Sequence, residues 1–457
     1  MTWLLNLIYL VLLLCATPWL LWRRVTQGRY RRGWSKKFFG KLPEIGKSPT
    51  GEGQGGKTLW FHAVSVGELQ VIRPLVERAE RQMPEARLLI TTSTDAGYEL
   101  AMKLYSKHVV SYAPMDFSWA ISRALARTQP DMIILAELEL WPNWISLAAR
   151  RGIPVVVING RLSQRSLEGY KRLGGFVSSV VRKLAWVGAQ SATYRDRFLE
   201  LGLSQDRVDV TGNIKFDGAN FDREAVQVQQ RALELHLDRA SIDIASSDSN
   251  SVRPIVWLCG STQAPEEQLC LDTFQKLAGS YPHLKLILVP RHPERFEEVA
   301  ILIEQTGLPW LRRSAMAAGR QPTDKHPIGE GVDPSWRIFL ADSVGELRWW
   351  WGLADLGFVG GSFGSRGGQN MIEPCAVRVA TCFGPNTKNF RDVVQILLES
   401  QGAMELSTPE ELGPWVIRMI ENPDIREEYA SRGQGTALSH RGATERTWQK
   451  LEQLLGR

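Results

Sequence analysis

Cysteine is scarce in this chain, and the usual metal-binding spacings are missing. Five cysteines, Cys15, Cys259, Cys270, Cys375 and Cys382, are scattered over 457 residues. Their number is odd and none forms a C-x-x-C pair, which argues against a disulfide framework or a structural zinc site and fits reduced thiols in a cytosolic compartment. There is no H-x-x-x-H pair, and no Asp-x-Asp that would clearly hold a divalent ion. The glycine-rich loop of the second half, 358–374, is neither a Walker phosphate loop nor a strict G-x-G-x-x-G, so it implies neither ATP nor NAD. No acidic residue precedes Glu44.

What stands in that acid-free stretch is apolar, then basic. Residues 3–22 read WLLNLIYLVLLLCATPWLLW, interrupted only by Asn6, Thr17 and Pro18. About 20 such residues can cross a hydrocarbon core of roughly 30 Å. Trp3, Trp19 and Trp22 sit near the ends, where amphipathic rings prefer the interface. Arg23, Arg24, Arg29, Arg31, Arg32, Lys36, Lys37 and Lys41 follow. Positive charge after the apolar run places the rest of the chain in the cytoplasm and attracts anionic head groups. A cleaved signal peptide carries its charge before the run. The expectation is an uncleaved inner-membrane anchor, spanning or lying in the surface, with the catalytic domains on the cytoplasmic side. The net charge of +6 also permits nucleic acid. Because the charge concentrates beside the apolar run, a membrane is expected and nucleic acid is not.

The length fits two domains plus an anchor. After a Gly-rich lead-in (48–57), short apolar runs alternate with helical patterns: 59–64, 86–93, 132–137, 154–160 and 185–191. The alternation resumes at 255–261, 284–290, 337–342 and 356–362. Such alternation predicts parallel β-α-β units. The stretch 221–253 begins helical and ends in ASSDSNSVRP, which reads as a linker. The boundaries expected are an anchor at 1–22, a basic lead-in at 23–57, a first Rossmann-like domain at 58–220, the linker at 221–253, a second Rossmann-like domain at 254–435 and a C-terminal helix at 436–457. Two doubly wound domains in succession put a cleft between them, with ligands at the carboxyl ends of the strands.

Residues of chemical interest do stand at those ends. Gly67 permits a tight strand-to-helix turn, and Glu68 then falls in the first helical turn, where it either complements the helix dipole or does chemistry. Glu137 ends the run MIILAE. It is either a functional acid or, with Glu139, Pro142 and Asn143, part of a helix start. The hydroxyls of Thr91, Thr92, Ser93 and Thr94 suit sugar or phosphate oxygens and equally an N-cap. Lys215 either meets an anion or is solvated. In the second half, FVGGSFGSRGGQNMIEP (358–374) enters a glycine-rich loop, and a helix expected near 368–370 would turn its N–H groups toward an anion. Glu373 would hold a ribose diol or cap that helix. Arg291 follows another strand, and Asp342 opens a further helix.

These motifs, in this order, resemble the bacterial 3-deoxy-D-manno-octulosonic acid (Kdo) transferases that work on lipid A precursors. The matching pieces are HAVSVGE, TTSTDAG, ELELWPN, INGRLS, GNIKFD, GST, VPRHPERF, DSVGEL, LADLGFVGGS and GGQNMIEP. The resemblance implies an α/β fold of the glycosyltransferase-B type, two Rossmann-like domains facing across a cleft. It implies CMP-Kdo as donor substrate, no separate cofactor, no metal, and a lipid IVA-like acceptor. Glu68 matches the family's general base. Glu137 and Lys215 match positions that support the transition state. Pro290, Arg291, Val344, Gly345, Glu346, Asn370, Met371, Ile372 and Glu373 match segments that contact CMP. Gln263 and Gln369 stand where the family usually has histidine, which removes a proton switch. A related transferase using a UDP-sugar, or a non-catalytic lipid-binding relative, would share much of this pattern.

Overall fold

The expected β-α-β alternation occurs twice in the computed structural model, which describes residues 2–27, 33–45, 56–218, 222–237, 253–317 and 333–456. The first sheet holds β1 (Thr58–His62), β2 (Arg87–Thr92), β3 (Val109–Tyr112), β4 (Met132–Ala136), β5 (Val155–Gly160), β6 (Trp186–Ala189) and β7 (Val208–Val210). Its order is β3-β2-β1-β4-β5-β6-β7, with every pairing parallel. The second sheet holds β8 (Ile255–Thr262), β9 (Leu284–Pro290), β10 (Trp310–Arg312), β11 (Ile338–Leu340), β12 (Leu356–Val359), β13 (Ala380–Phe383) and β14 (Met404–Glu405). Its order is β10-β11-β9-β8-β12-β13-β14, again parallel throughout.

Every residue of β1 and β4 is buried, as helices on both faces of a parallel sheet require. Alternate side chains serve opposite layers. Leu59 and Phe61 pack with Leu69, Ile72 and the C-terminal Trp448. Trp60 packs on the other face with Leu89, Trp144 and Leu162. Strand order reverses between β1 and β4 in one sheet and between β8 and β12 in the other. Such switch points open the crevice in which α/β sheets hold ligands.

Contacts divide the chain into one unit of Met1–Asp217 with His440–Arg457 and another of Gly218–Ser439. The last helix, Ala443–Gly456, thus packs on the first unit, and its first turn is capped by the Asp217 carboxylate, which accepts from Gly442, Ala443 and Thr444 amides. In the stretch read as a linker, the helix Val226–Glu234 packs within the second unit: Val228 lies against Gly352, and Arg231 Nη2 donates to Glu346 Oε1 at 2.5 Å. Residues 238–252, and 318–332 of the later polar insertion, lie outside the described residues.

The apolar N-terminal run forms one helix, Thr2–Gln27, that continues through Pro18. Among the described residues no helix is long and apolar enough to cross a membrane. Of the basic lead-in, residues 28–32 lie outside the described residues; Lys36 and Lys37 belong to the short helix Trp34–Phe39.

Candidate functional site

At the switch point of the first unit, β1 delivers Glu68 through a helix start. Ser65 is the N-cap of the helix Val66–Gln82: its Oγ accepts from the Glu68 amide (3.3 Å) and donates to Glu68 Oε1 (2.7 Å). Val64 N–H donates to Glu68 Oε2 at 2.8 Å. This is a capping box. The capping reading of Glu68 therefore holds, and it does not compete with a chemical one, because each carboxylate oxygen keeps a second lone pair. Burial raises the pKa of Glu68 above the usual carboxylate range, and the nearby Glu137 adds to the rise. The role given to Gly67 is corrected. Its φ is not positive, and a Cβ there would meet only Ser65 Oγ at 3.8 Å, so the turn does not require glycine.

The hydroxyl cluster of β2 serves the backbone. Thr92 and Thr94 both donate to Val64 O (3.0 and 3.2 Å), and Thr94 caps the helix Asp95–Leu104. They hold the same Val64 whose amide holds Glu68. Beneath them His62 is buried, bonded to Thr91, and kept neutral by a pKa pushed down to about 4.

Glu137 leaves β4 with φ +59°, a left-handed conformation that costs a non-glycine residue about 1–3 kcal/mol and concentrates at functional sites. Its Oε1 lies 3.3 Å from Lys215 Nζ. Lys215 is placed there by a chain of buried amides. Gln190 donates to Asn159 O, Asn213 donates to Gln190 Oε1, Asn159 Oδ1 accepts from the Ile214 amide, and Asn213 Oδ1 accepts from the Lys215 amide. The first unit thus brings Glu68, Glu137 and Lys215 together.

Glu139 joins them and was missed as a site residue. Burial pushes its pKa up to about 7, with Glu68 and Glu137 contributing, while Trp141 Nε1 donates to it at 2.5 Å. The signal was the E-x-E doublet after a buried strand.

In the second unit the structure corrects the reading of the glycine-rich loop. The amides of Gly361, Ser362 and Phe363 do point into one spot, but the buried carboxylate of Glu266 already fills it, at 2.6–3.0 Å. The Gln263 amide donates to the same carboxylate at 3.1 Å. Glycine is needed at 360, where a Cβ would lie 2.6 Å from Thr262 Cα, because β8 and β12 approach closely at the switch point. The helix expected near 368–370 starts at Ile372 and has only five residues (Ile372–Ala376).

Other residues matched to the CMP segments gather around Glu373. Asn370 Oδ1 accepts from the Ile372 amide, and its Nδ2 donates to Glu373 Oε1 at 3.1 Å. Burial raises the pKa of Glu373 against the pull of Asn370 and of the Arg348 and Arg291 guanidinium groups. Arg348, on the helix Leu347–Trp351, was not anticipated. Pro290 ends β9, and the Arg291 amide donates to Thr262 O at 3.0 Å. The Met371 and Ile372 side chains are buried in the core, which leaves only their backbone for a ligand. Val344 is exposed and Gly345 has open space about it, but the Glu346 carboxylate is held by Ser343, Arg231 and Arg313. Gln263 and Gln369, distant in sequence, both bring their amide nitrogens beside Gly361. Among the described residues no group of three or more His, Cys, Asp or Glu is placed to hold a metal ion.

Comparison with known proteins follows the same motifs. A family model described as 3-deoxy-D-manno-octulosonic-acid transferase (kdotransferase) matches residues 32–218. The 3-deoxy-D-manno-octulosonic acid transferase of Haemophilus influenzae is 32% identical over 401 residues, covering 87% of each chain. That of Bordetella pertussis is 30% identical over 409 residues, again covering 87% of each. The enzyme of Chlamydia trachomatis is 28% identical over 457 residues, 98% of this chain and 97% of its own. Among solved structures, the C-terminal CMP-Kdo binding domain of WaaA from Acinetobacter baumannii is 28% identical, covers 46% of this chain and 95% of that one, and superposes with a TM-score of 0.38. UDP-GlcNAc 2-epimerase from Neisseria meningitidis is 13% identical, covering 87% of this chain and all of that one, with a TM-score of 0.47.

Proposed function

Because the chain belongs to the 3-deoxy-D-manno-octulosonic acid transferase family, we infer that it is a glycosyltransferase that moves Kdo, and we propose CMP-Kdo as its donor and a lipid IVA-like precursor at the cytoplasmic face of the inner membrane as its acceptor. Transfer is metal-independent and inverting. The observation that carries the mechanism is the meeting of Glu68, Glu137, Glu139 and Lys215 at the β1/β4 switch point.

An acceptor hydroxyl is a poor nucleophile at neutral pH. Glu68 takes its proton as the oxygen attacks C2 of Kdo. Its raised proton affinity brings it nearer the operating pH, where a general base works best. CMP leaves from the opposite face, which inverts the carbon through a transition state of oxocarbenium character, as in related sugar chemistry. Lys215 and Glu137 support that transition state. Arg291, with Arg348 beside Glu373, meets the phosphate. The Gln263 and Gln369 amides donate to donor oxygens without titrating.

The anchor reading is supported by the orientation of the N-terminal helix. Leu4, Leu7, Val11 and Leu14 form one helical stripe, and each is more than half exposed. Such a stripe is costly in water and favourable in lipid.

The reading is tested by incubating the full chain with CMP-Kdo and a lipid IVA-like acceptor and weighing the products. A mass gain of one or more Kdo units with release of CMP is expected. No gain would overturn it. Thermal stabilisation by UDP rather than CMP would replace the donor.

A further inference from the structure

The N-terminal helix is built inside out. Its polar Asn6 and Tyr9 face the protein while the apolar stripe faces away. Asn6 is buried, and both ends of its carboxamide are engaged: Nδ2 donates to Ser118 Oγ at 2.6 Å, and Oδ1 accepts from the Ser118 amide at 3.0 Å and from Asn143 Nδ2 at 3.4 Å. Tyr9 OH donates to Asp116 Oδ2 at 2.9 Å, and its ring meets Phe117 edge-on. A helix that only tethers the chain needs none of these contacts.

Their far side leads to the site. Asp116 accepts from the Asn143 amide (3.1 Å) through Oδ2 and from the Trp144 amide (2.9 Å) through Oδ1. Asn143 Nδ2 also donates to Asp116 O at 2.5 Å. These two amides open the helix Pro142–Arg150, whose own N-cap residue, Trp141, makes no side-chain cap. Asp116 therefore caps that helix from a distance. The segment between β4 and this helix start is the one that carries Glu137 and Glu139. Its near end is fixed by the sheet and its far end by Asp116. Burial pushes the Asp116 pKa up to about 6 against its donors, so loss of the Tyr9 hydroxyl leaves a buried carboxylate with less support.

We propose that Asp116 is a positioning residue, and that docking of the N-terminal helix on it through Tyr9 and Asn6 sets the geometry of the Glu137–Glu139 segment. The apolar helix is then part of the catalytic scaffold as well as an attachment. This rests on the reading of Glu137 and Glu139 as site residues.

The test uses the full chain on phosphatidylglycerol/phosphatidylethanolamine vesicles and the double variant Asn6→Leu/Tyr9→Phe, which makes the helix more apolar. Expected are unchanged co-sedimentation with vesicles, kcat for Kdo transfer reduced about tenfold with KM for CMP-Kdo unchanged, and at least about tenfold faster hydrogen exchange at the Asn143 and Trp144 amides, since small misplacements of reacting groups cost rate. Wild-type kcat, or slower turnover without faster exchange at those amides, would overturn the proposal. Tyr9→Phe alone, if the double variant fails to fold, should show the same two changes to a lesser degree, and their absence there refutes it equally. Exchange is read without turnover. A wild-type chain that transfers no Kdo would therefore fail the functional reading while exchange still decides whether docking of the N-terminal helix on Asp116 holds the Asn143 and Trp144 amides.

Discussion

Each unit places an acidic side chain after the first strand of its switch point, Glu68 after β1 and Glu266 after β8, and the two are held differently. In the second unit Glu266, and Glu346 after β11, are saturated with donors. Glu266 takes four backbone amides, and Glu346 takes Ser343 and two guanidinium groups. In the first unit three carboxylates share one neighbourhood, and burial with mutual repulsion raises the proton affinity of Glu68 and Glu139. A saturated carboxylate fastens a turn. One left reluctant to ionise among its own kind is suited to moving a proton.

The largest test of this contrast is Glu266→Ala, which orphans four amides at about 1–3 kcal/mol each. Calorimetry should show the second unit destabilised by roughly 4 kcal/mol or more, and an unaltered melting temperature would break the contrast. Next comes Glu68→Gln, which keeps the capping box and with it the fold. Its kcat for Kdo transfer should fall about 10²–10⁴-fold, the usual contribution of a general base, and near-normal turnover of the folded variant would remove Glu68 from the mechanism.

A smaller shift is expected in the pH profile of Glu137→Gln. The rate rises with pH as Glu68 loses its proton, and a charged Glu137 holds that proton more tightly. Neutral Gln lets it go sooner, so the acid limb of kcat/KM should move to lower pH; a limb that stays in place or moves up contradicts the coupling. The smallest is Gln263→His/Gln369→His. Two imidazoles beside Gly361 would gain charge as pH falls, and CMP affinity should tighten about two- to fivefold from pH 8 to pH 6, where the native amides show no such trend. Equal pH dependence in both proteins would separate these residues from the donor.

Much of the site was legible because strand ends announce themselves. Glu68, Glu137 and Arg291 each follow a buried apolar run. Glu139 was overlooked because an acid before Trp-Pro-Asn reads equally well as part of a helix start. Glu266 was invisible as the occupant of the glycine-rich loop, since 95 residues separate it from Gly361. Among the strands left unnamed, β7, β10 and β14 are two or three residues long and partly exposed, so they show no continuous apolar run.

By itself the sequence determined the parallel α/β alternation, the apolar and then basic N-terminus, and the order of motifs, because periodicity and composition are local properties of the chain. Only the tertiary structure decided which acids remain available for chemistry and which are bound in turns, and that the N-terminal helix reaches Asp116. Both depend on partners brought from elsewhere in the chain, and whether a carboxylate is saturated with donors or left beside other acids is a property of its surroundings rather than of its place in the sequence.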